Sequence, residues 1–106
     1  MTRLAHRTYE LLKTVPKGRV TTYKALAEAL GIKGYRAIGQ FMKNNPDAPV
    51  TPCHRVVSSS GALGGFMGKT TGKEIKKKIA LLEAEGVTIK NNTVLHFQTV
   101  FYPLAP

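Results

Sequence analysis

Cys53, the single cysteine of the chain, is the residue best suited to nucleophilic chemistry. A thiolate is strongly nucleophilic, but an ordinary thiol with a pKa of about 8.5 is mostly protonated at neutral pH, so it needs help to ionise. His54 is adjacent, yet neighbours in an extended segment point to opposite sides, so a contact requires a turn or a bridging water. Glu85, at the end of a predicted helix, could orient that histidine. Together these residue types predict an assisted thiol nucleophile.

The same residues also fit a purely structural role. A lone cysteine followed closely by Val56 and Val57 is typical of a buried thiol, and a helix glutamate such as Glu85 is usually solvated. On residue types alone, this structural alternative is the more common one, and catalysis needs further support.

Other common kinds of catalytic site find no support in the sequence. One cysteine and three histidines, at positions 6, 54 and 96, do not form the paired local spacings of structural zinc sites, so no metal is expected. There is no phosphate-binding loop motif, and the glycines of 61–65 do not follow a strand and open a helix as a dinucleotide site would. We therefore expect no cofactor.

Length and hydropathy predict a single domain, residues 1–106. With 42% hydrophobic residues, the chain can bury one modest core. No stretch approaches the roughly 20 consecutive apolar residues of a membrane span, and the first residues lack the apolar run of a secretory signal. A lone thiol also persists best in a reducing compartment. We expect a soluble monomer in the cytoplasm, or in the nucleus of a eukaryote, without membrane contact.

Positive charge is concentrated in the first half of the sequence. A net charge of +10, with a pI of about 10.1, attracts polyanions. Before Asp47 only Glu10 and Glu28 oppose the basic residues, which are Arg3, Arg7, Lys13, Lys17, Arg19, Lys24, Lys33, Arg36 and Lys43. Solubility alone would explain an even excess of lysine, whereas the regional excess favours nucleic acid as the partner.

The elements that must position these residues are mostly helical. Hydrophobic spacing predicts helices over about 5–15, 23–30, 35–43 and 73–85, and the alternating tail predicts a β-hairpin over 87–97. Thr22 is the predicted N-cap of the second helix and Gly31 its C-cap, while Glu74 and Lys78 form an i,i+4 pair on the fourth. The second and third helices, joined by a short Gly turn, predict a helix-turn-helix. The predicted fold is mainly α with a small β-hairpin, a winged-helix-like helix-turn-helix domain.

The cysteine motif Pro52-Cys53-His54-Arg55-Val56-Val57 closely resembles that of the O6-alkylguanine-DNA alkyltransferases, also called methylated-DNA protein-cysteine methyltransferases. The likeness covers nearly the whole chain up to Gly86, through Gly18-Arg19-Val20-Thr21-Thr22-Tyr23, Arg36-Ala37-Ile38-Gly39 and Asn45-Pro46. The resemblance implies the C-terminal catalytic domain of this family. It also implies a stoichiometric reaction, in which Cys53 takes the alkyl group from guanine O6 in double-stranded DNA and keeps it.

The resemblance further implies a role for each site residue. His54 would accept the thiol proton through a water and be oriented by Glu85, while Asn45 would brace the active-site loop. Tyr23 would help to rotate the nucleotide and protonate the leaving guanine, and Arg36 would enter the duplex where the base was extruded. The second helix of the motif would lie in the minor groove. The remaining implied contacts are Thr22, Tyr35, Ala37, Gly39, Lys43 and Arg55 with DNA, and Val56, Phe66 and Met67 with the substrate base.

The chain departs from the family pattern in three places. Family members usually carry an N-terminal domain ahead of this region, whereas this chain begins at the catalytic half. Phe66 and Met67 stand where the family often has a tyrosine and a smaller or polar residue, which leaves the substrate preference open. The segment 68–76 is longer than the usual connection, which bears on the placement of Glu85.

Two other functions stay open. Alkyltransferase-like proteins share the implied fold, lack the acceptor cysteine, and recognise alkylated guanine for other repair factors. A transcription regulator would use the helix-turn-helix to bind a specific sequence and would have no use for Cys53. The complete Pro-Cys-His-Arg context favours the enzyme.

Overall fold

The computed structural model describes residues 2–65 and 72–104, and it is mostly helical with two small sheets. In chain order the elements are α1 (Arg3–Lys13), β1 (Thr21–Thr22), α2 (Tyr23–Leu30), α3 (Arg36–Lys43), a 3₁₀ turn (Cys53–Arg55), β2 (Val56–Val57), α4 (Lys73–Ala84), β3 (Ile89–Lys90), β4 (Thr93–Val94) and α5 (Phe97–Val100). This confirms the predicted fold class. In the described ranges no helix is both long enough and apolar enough to cross a membrane.

The helices α2 and α3 form the predicted helix-turn-helix. Thr22 caps α2 as expected, because its hydroxyl accepts a hydrogen bond of 2.9 Å from the backbone N–H of Ala25. Gly31 ends the helix in the left-handed region, with a φ of 73°, which glycine adopts without a Cβ clash. The two caps fix the length of α2 and the direction in which the chain enters α3.

The core lies where α1 packs against α2 and α3. Leu12, Leu26 and Ile38, one from each helix, have no exposed surface. The Tyr9 hydroxyl, at the edge of this core, donates a hydrogen bond of 2.8 Å to the carbonyl of Phe41. Burial of the apolar stripe of α3 therefore turns its opposite, polar face outward.

A short parallel strand pair, absent from the sequence-based expectation, joins the helix-turn-helix to the cysteine segment. Thr21 of β1 pairs with Val56 of β2, and Thr22 pairs with Val57. Both valines are fully buried. Because β1 leads directly into α2 and β2 follows directly after the 3₁₀ turn, the pair fixes the distance between the two segments.

The predicted terminal hairpin is confirmed for β3 and β4, which are antiparallel. Asn91 and Asn92 form its tight turn with φ values of 53° and 56°, a conformation that asparagine tolerates well. The extension of the second strand to Phe97 was wrong. His96 adopts a φ of 55°, which ends the extended run, and Phe97 begins α5 instead.

The C-terminal segment returns to the start of the helix-turn-helix. Val20 donates a backbone hydrogen bond of 2.9 Å to Val100, and Tyr102 donates one of 2.7 Å to Val20. The Arg19 guanidinium adds bonds to the carbonyls of Val100 and Phe101. The C-terminal segment thereby buttresses β1 from the side opposite the cysteine strand.

Candidate active site

Cys53 opens a single 3₁₀ turn that follows Pro52. The backbone N–H of Arg55 donates to the carbonyl of Pro52 at 3.0 Å, which closes the turn. The Cys53 residue is 4% exposed and His54 is 1% exposed. The tight turn therefore buries two adjacent polar side chains in the protein interior, an arrangement that an extended segment would not produce.

His54 lies against Glu85, the residue that ends α4. His54 Nε2 is 3.0 Å from Glu85 Oε2, and the two side chains are 2% and 11% exposed. The two residues are 31 positions apart in the chain, and their pairing was predicted from the residue types. The structure thus brings the histidine and glutamate together.

Arg55 holds the other side of the same carboxylate. Its Nε donates to Glu85 Oε1 at 2.9 Å and its Nη2 to Oε2 at 2.6 Å, a bidentate pair. Nη1 donates to the carbonyl of Val15 at 2.8 Å. With its side chain 14% exposed, Arg55 is turned mainly toward Glu85, and its contact with DNA stays a prediction.

The electrostatics of the cluster favour a neutral histidine and an ionised glutamate. Burial lowers the pKa of His54, and the nearby charges of Arg55 and Lys78 lower it further, against the opposing effect of Glu85. Burial alone would raise the pKa of Glu85, but hydrogen bonds from Arg55 and His54 outweigh it and hold that pKa below the ordinary value. A neutral imidazole that donates through Nε2 keeps a lone pair on Nδ1.

That second nitrogen, His54 Nδ1, is the one free to take up a proton. It is buried and has no hydrogen-bond partner among the described residues. An unpaired buried acceptor costs about 1–3 kcal/mol, so it is retained against a stability cost. A general base requires a basic nitrogen whose lone pair is free to accept a proton, and His54 Nδ1 meets this requirement.

Opposing effects act on the Cys53 thiol. Burial raises its pKa and prevails, although the neighbouring Asn45 side chain and the positive charges of Lys78 and Lys77 act to lower it. The thiol therefore gains nucleophilic character only through these neighbours, since desolvation alone would keep it protonated.

Asn45 also ties down the loop that precedes the cysteine. Its Nδ2 donates to the carbonyl of Thr51 at 2.7 Å, and its Oδ1 accepts from the backbone N–H of Asp47 at 3.0 Å. Both bonds fix the segment leading to Pro52. The contacts are those that a bracing residue would make.

Tyr23, the first residue of α2, packs on the loop 58–65. Its hydroxyl is 3.4 Å from the carbonyl of Gly65. A Cβ on Gly64, whose φ is +69°, would lie 3.2 Å from Tyr23 Cε2. Glycine at position 64 therefore allows the tyrosine ring to lie close to the loop backbone.

The structure adds one site residue that the sequence analysis missed. Lys78 is 0% exposed, and its Nζ donates to the carbonyls of Val56, Leu63 and Gly65 at 2.7, 2.5 and 3.0 Å. The expected ion pair with Glu74 was wrong, because the lysine points into the core. Its spacing from Ile75 and Leu82, which lie on the buried face of α4, was the available signal.

The outer face of α3 carries the side chains predicted to contact DNA. Arg36, Gly39 and Lys43 are exposed along it, while Ala37 is half-buried and Tyr35, at the N-cap, is 51% exposed. A Cβ on Gly39 would meet no atom within 4 Å. This face therefore presents positive charge and a locally bare backbone to an approaching groove.

A cleft of about 250 Å³ lies between the start of α2 and the loop 58–65. Its lining residues are Tyr23, Lys24, Tyr35, Ser58 and Ser59. Two aromatic rings, an amine and two hydroxyls suit a nucleotide. Tyr35, the N-cap residue of α3, and Tyr23, the first residue of α2, both line the cleft.

The predicted base-contacting residues have different positions. The Val56 side chain is fully buried, and its carbonyl accepts from Lys78. Phe66 and Met67 lie outside the described residues. The contact of these three with a substrate base stays a prediction.

Residues 3–87 match the family model described as the DNA-binding domain of 6-O-methylguanine DNA methyltransferase. A methylated-DNA–protein-cysteine methyltransferase of Candida glabrata is 47% identical over 91 residues, which cover 85% of this chain and 42% of that protein. The chain therefore spans less than half the length of this relative.

Two solved structures show the same fold. The O6-methylguanine-DNA methyltransferase of Pyrococcus kodakaraensis is 43% identical with a TM-score of 0.70, over 82% of this chain and 48% of that one. S. pombe Atl1, in complex with damaged DNA containing O6-carboxymethylguanine, is 27% identical with a TM-score of 0.82, over 96% of both chains. From the family match and these likenesses, the chain belongs to the 6-O-methylguanine DNA methyltransferase family and contains its DNA-binding domain.

Proposed function

We propose that this protein repairs DNA by moving an alkyl group from guanine O6 onto Cys53. The observation that carries the proposal is the buried thiol in a tight turn beside the His54–Glu85 pair. The Cys53 thiolate attacks the alkyl carbon, an S–C bond forms and the C–O6 bond breaks. The bonding electrons leave with guanine, which takes up a proton. Because a thioether is a poor leaving group, each protein molecule reacts once.

The proton of the thiol passes to His54. With Nε2 donating to Glu85, the neutral ring accepts at Nδ1, directly or through one water. Glu85 fixes the orientation and tautomer of the ring. Tyr23 is the candidate to protonate the leaving guanine, since burial raises the pKa of its hydroxyl, which is thus protonated at neutral pH.

The guanine reaches Cys53 only outside the base stack. The residue is 4% exposed, so the target nucleotide must rotate into the protein, at a cost of a few kcal/mol. In this proposal α3 lies in the minor groove and Arg36 occupies the vacated space. Arg36 and the phosphate contacts of the exposed face of α3 together offset the unstacking cost.

In this proposal, the same 106-residue domain that binds DNA also carries the catalytic centre. It acts as a monomer, at the location of the DNA, which is the cytoplasm or the nucleus. The positions of Cys53, His54 and Glu85 support this part, because the candidate nucleophile, base and orienting carboxylate all belong to the described residues.

Intact-protein mass spectrometry tests the transfer directly. The protein is incubated with an O6-methylguanine duplex, and Cys53→Ala protein and an undamaged duplex serve as controls. The expected result is one methyl's mass gained by the wild type alone and mapped to the Cys53 peptide. Loss of methyl from the DNA without gain on Cys53 would overturn the proposal.

A damage-recognition module that transfers nothing is the second candidate. It is favoured by the likeness to Atl1, which covers 96% of both chains, whereas the likeness to the Pyrococcus methyltransferase covers only 48% of that chain. Tight binding to the O6-methylguanine duplex with no mass gain would establish this second function.

A further inference from the structure

Lys78 is a buried cation to which the proposed transfer assigns no task. Its Nζ contacts three carbonyls from two segments: Val56 in β2, and Leu63 and Gly65 in the loop 58–65. The same Gly65 carbonyl lies 3.4 Å from the Tyr23 hydroxyl. One amine therefore connects the strand after the nucleophile with the loop on which Tyr23 packs.

The geometry is that of an ammonium group. A charged lysine has three N–H donors, one for each carbonyl, whereas a neutral amine has two. Burying a charge is costly unless it is hydrogen-bonded or paired. Here the three carbonyl dipoles supply the hydrogen bonds, and no carboxylate is among the Nζ partners in the described ranges.

Building on the transfer to Cys53, we propose that Lys78 is a positioning residue of this reaction. Its ammonium holds the loop 58–65 against Tyr23, and it supplies the positive charge that stabilises the Cys53 thiolate.

The titratable groups around Lys78 act on it and on one another. Burial lowers the pKa of Lys78 to about 7, and the charge of Cys53 raises it. In return Lys78 lowers the pKa of Cys53 and of His54. Lys77, on the same helix, acts on Cys53 in the same direction, and Tyr23 shares the Gly65 carbonyl. Burial still keeps the net pKa of Cys53 above its ordinary value, so the Lys78 charge lowers the cost of forming the thiolate when the reaction requires it.

This coupling has a consequence for the alkylated protein. A thioether on Cys53 cannot ionise, so the alkylated protein lacks the thiolate charge that raises the pKa of Lys78. When Lys78 loses its proton, its amine keeps two N–H donors, so one of the three carbonyls loses its hydrogen bond.

The first test measures the ionisation of Cys53 without DNA. The rate of carbamidomethylation by iodoacetamide is followed against pH in the wild type, Lys78→Met, Lys78→Arg and Lys76→Met, an exposed lysine of the same helix. We expect the midpoint of the profile to move to higher pH in Lys78→Met, to be restored in Lys78→Arg and to be unchanged in Lys76→Met. An unchanged midpoint in folded Lys78→Met would overturn the proposal.

Single-turnover methyl transfer distinguishes this inference from the proposed function. Near neutral pH, Lys78→Met should transfer about tenfold more slowly, as expected for a change of one unit in the pKa of the nucleophile. A wild type that transfers no methyl contradicts the proposed function. A wild type that transfers, with Lys78→Met equally fast, contradicts only the role of Lys78.

A second measurement does not depend on the folding of Lys78→Met. The Lys78 ε-methylene signal is titrated by NMR in the wild type and in Cys53→Ser, which removes the thiolate and keeps the shape. We expect the pKa of Lys78 to fall in Cys53→Ser. An identical titration in both proteins would overturn the proposal.

Discussion

His54 Nε2 and Glu85 Oε2 lie 3.0 Å apart, and the same carboxylate receives two hydrogen bonds from Arg55. Three donors thus converge on one nearly buried carboxylate. Because the guanidinium keeps the carboxylate ionised, the imidazole is held with its Nε2 hydrogen toward Glu85. The orientation of the candidate base is therefore set by an ion pair formed with its own neighbour in sequence.

Replacing this carboxylate by an amide should be strongly destabilising. In Glu85→Gln one acceptor oxygen becomes a donor that faces Arg55 and His54, which leaves buried donors unpaired. We expect the free energy of unfolding to fall by about 3 kcal/mol, as for other broken buried ion pairs. Urea unfolding measures it. Glu83→Gln, at an exposed position of α4, should stay within about 0.5 kcal/mol, and an equal loss in both variants would contradict the assignment.

The lowered pKa of His54 predicts an acid-sensitive fold. The unfolded chain titrates at about 6.5 and the folded one lower, so the unfolded state binds more protons between the two values. The stabilisation is present above pH 6.5 and is lost as the pH falls through the folded pKa. Thermal melts at stepwise lower pH should show this decline, and His54→Gln should flatten it. The exposed His6→Gln should keep the wild-type slope.

Gly18 is expected to tolerate no side chain. Its φ is +85°, and a Cβ would lie 3.1 Å from the backbone oxygen of Glu85. Gly18→Ala should therefore cost about 1–2 kcal/mol of stability. At Gly34 a Cβ would meet nothing within 4 Å, so Gly34→Ala is the matched control in chemical denaturation. Equal stability of the two variants would show that Gly18 is not required.

Arg36 is expected to act in nucleotide rotation. If it fills the place of the extruded base, Arg36→Ala should slow transfer in duplex DNA about tenfold and leave single-stranded substrate nearly unaffected, because less unstacking is needed there. Rapid-quench kinetics on both substrates make the comparison. Arg7→Ala, on the exposed side of α1, serves as control. Equal losses on both substrates would remove Arg36 from this role.

Lys43 is expected to contact a phosphate. Affinity for undamaged duplex should fall steeply with salt, since each neutralised phosphate adds a slope of about −0.9 to log K against log salt. Lys43→Gln should reduce the slope by about one. Lys13→Gln removes an exposed lysine that pairs with Glu10 and should leave the slope unchanged. If Lys43→Gln left the salt slope unchanged, Lys43 would not contact a phosphate.

Local patterns in the sequence were sufficient for most of the helices. The bounds of α2 and its caps Thr22 and Gly31 match the prediction, because capping and glycine conformations are determined by neighbouring residues. The turn of the terminal hairpin at Asn91 and Asn92 was also predicted correctly. Phe97 was misplaced because the apolar alternation continues past His96, whose left-handed conformation has no clear signal in the sequence.

The structural features that could not be predicted from the sequence all depend on contacts between residues that are distant in the chain. The pairing of Thr21 with Val56 involves strands of two residues each, too short to show a period. Lys78 was assigned to solvent because lysine is almost never fully buried. The pairing of His54 with Glu85 was proposed from the residue types, but its geometry depends on the 3₁₀ turn. The sequence indicated only that a contact between Cys53 and His54 needs a turn or a bridging water.

The parallel pair of β1 and β2 couples the position of α2 to the position of the Cys53 sulfur. The residue that caps α2 and the strand that follows Cys53 share the same ladder, so a displacement of α2 is passed on to the segment that carries Cys53. In the proposed complex with DNA, this coupling keeps the thiol at a nearly constant distance from the groove that holds α3. Repair at a given base pair then depends on the rotation of its nucleotide toward the thiol, the step in which Tyr23 and Arg36 are proposed to act.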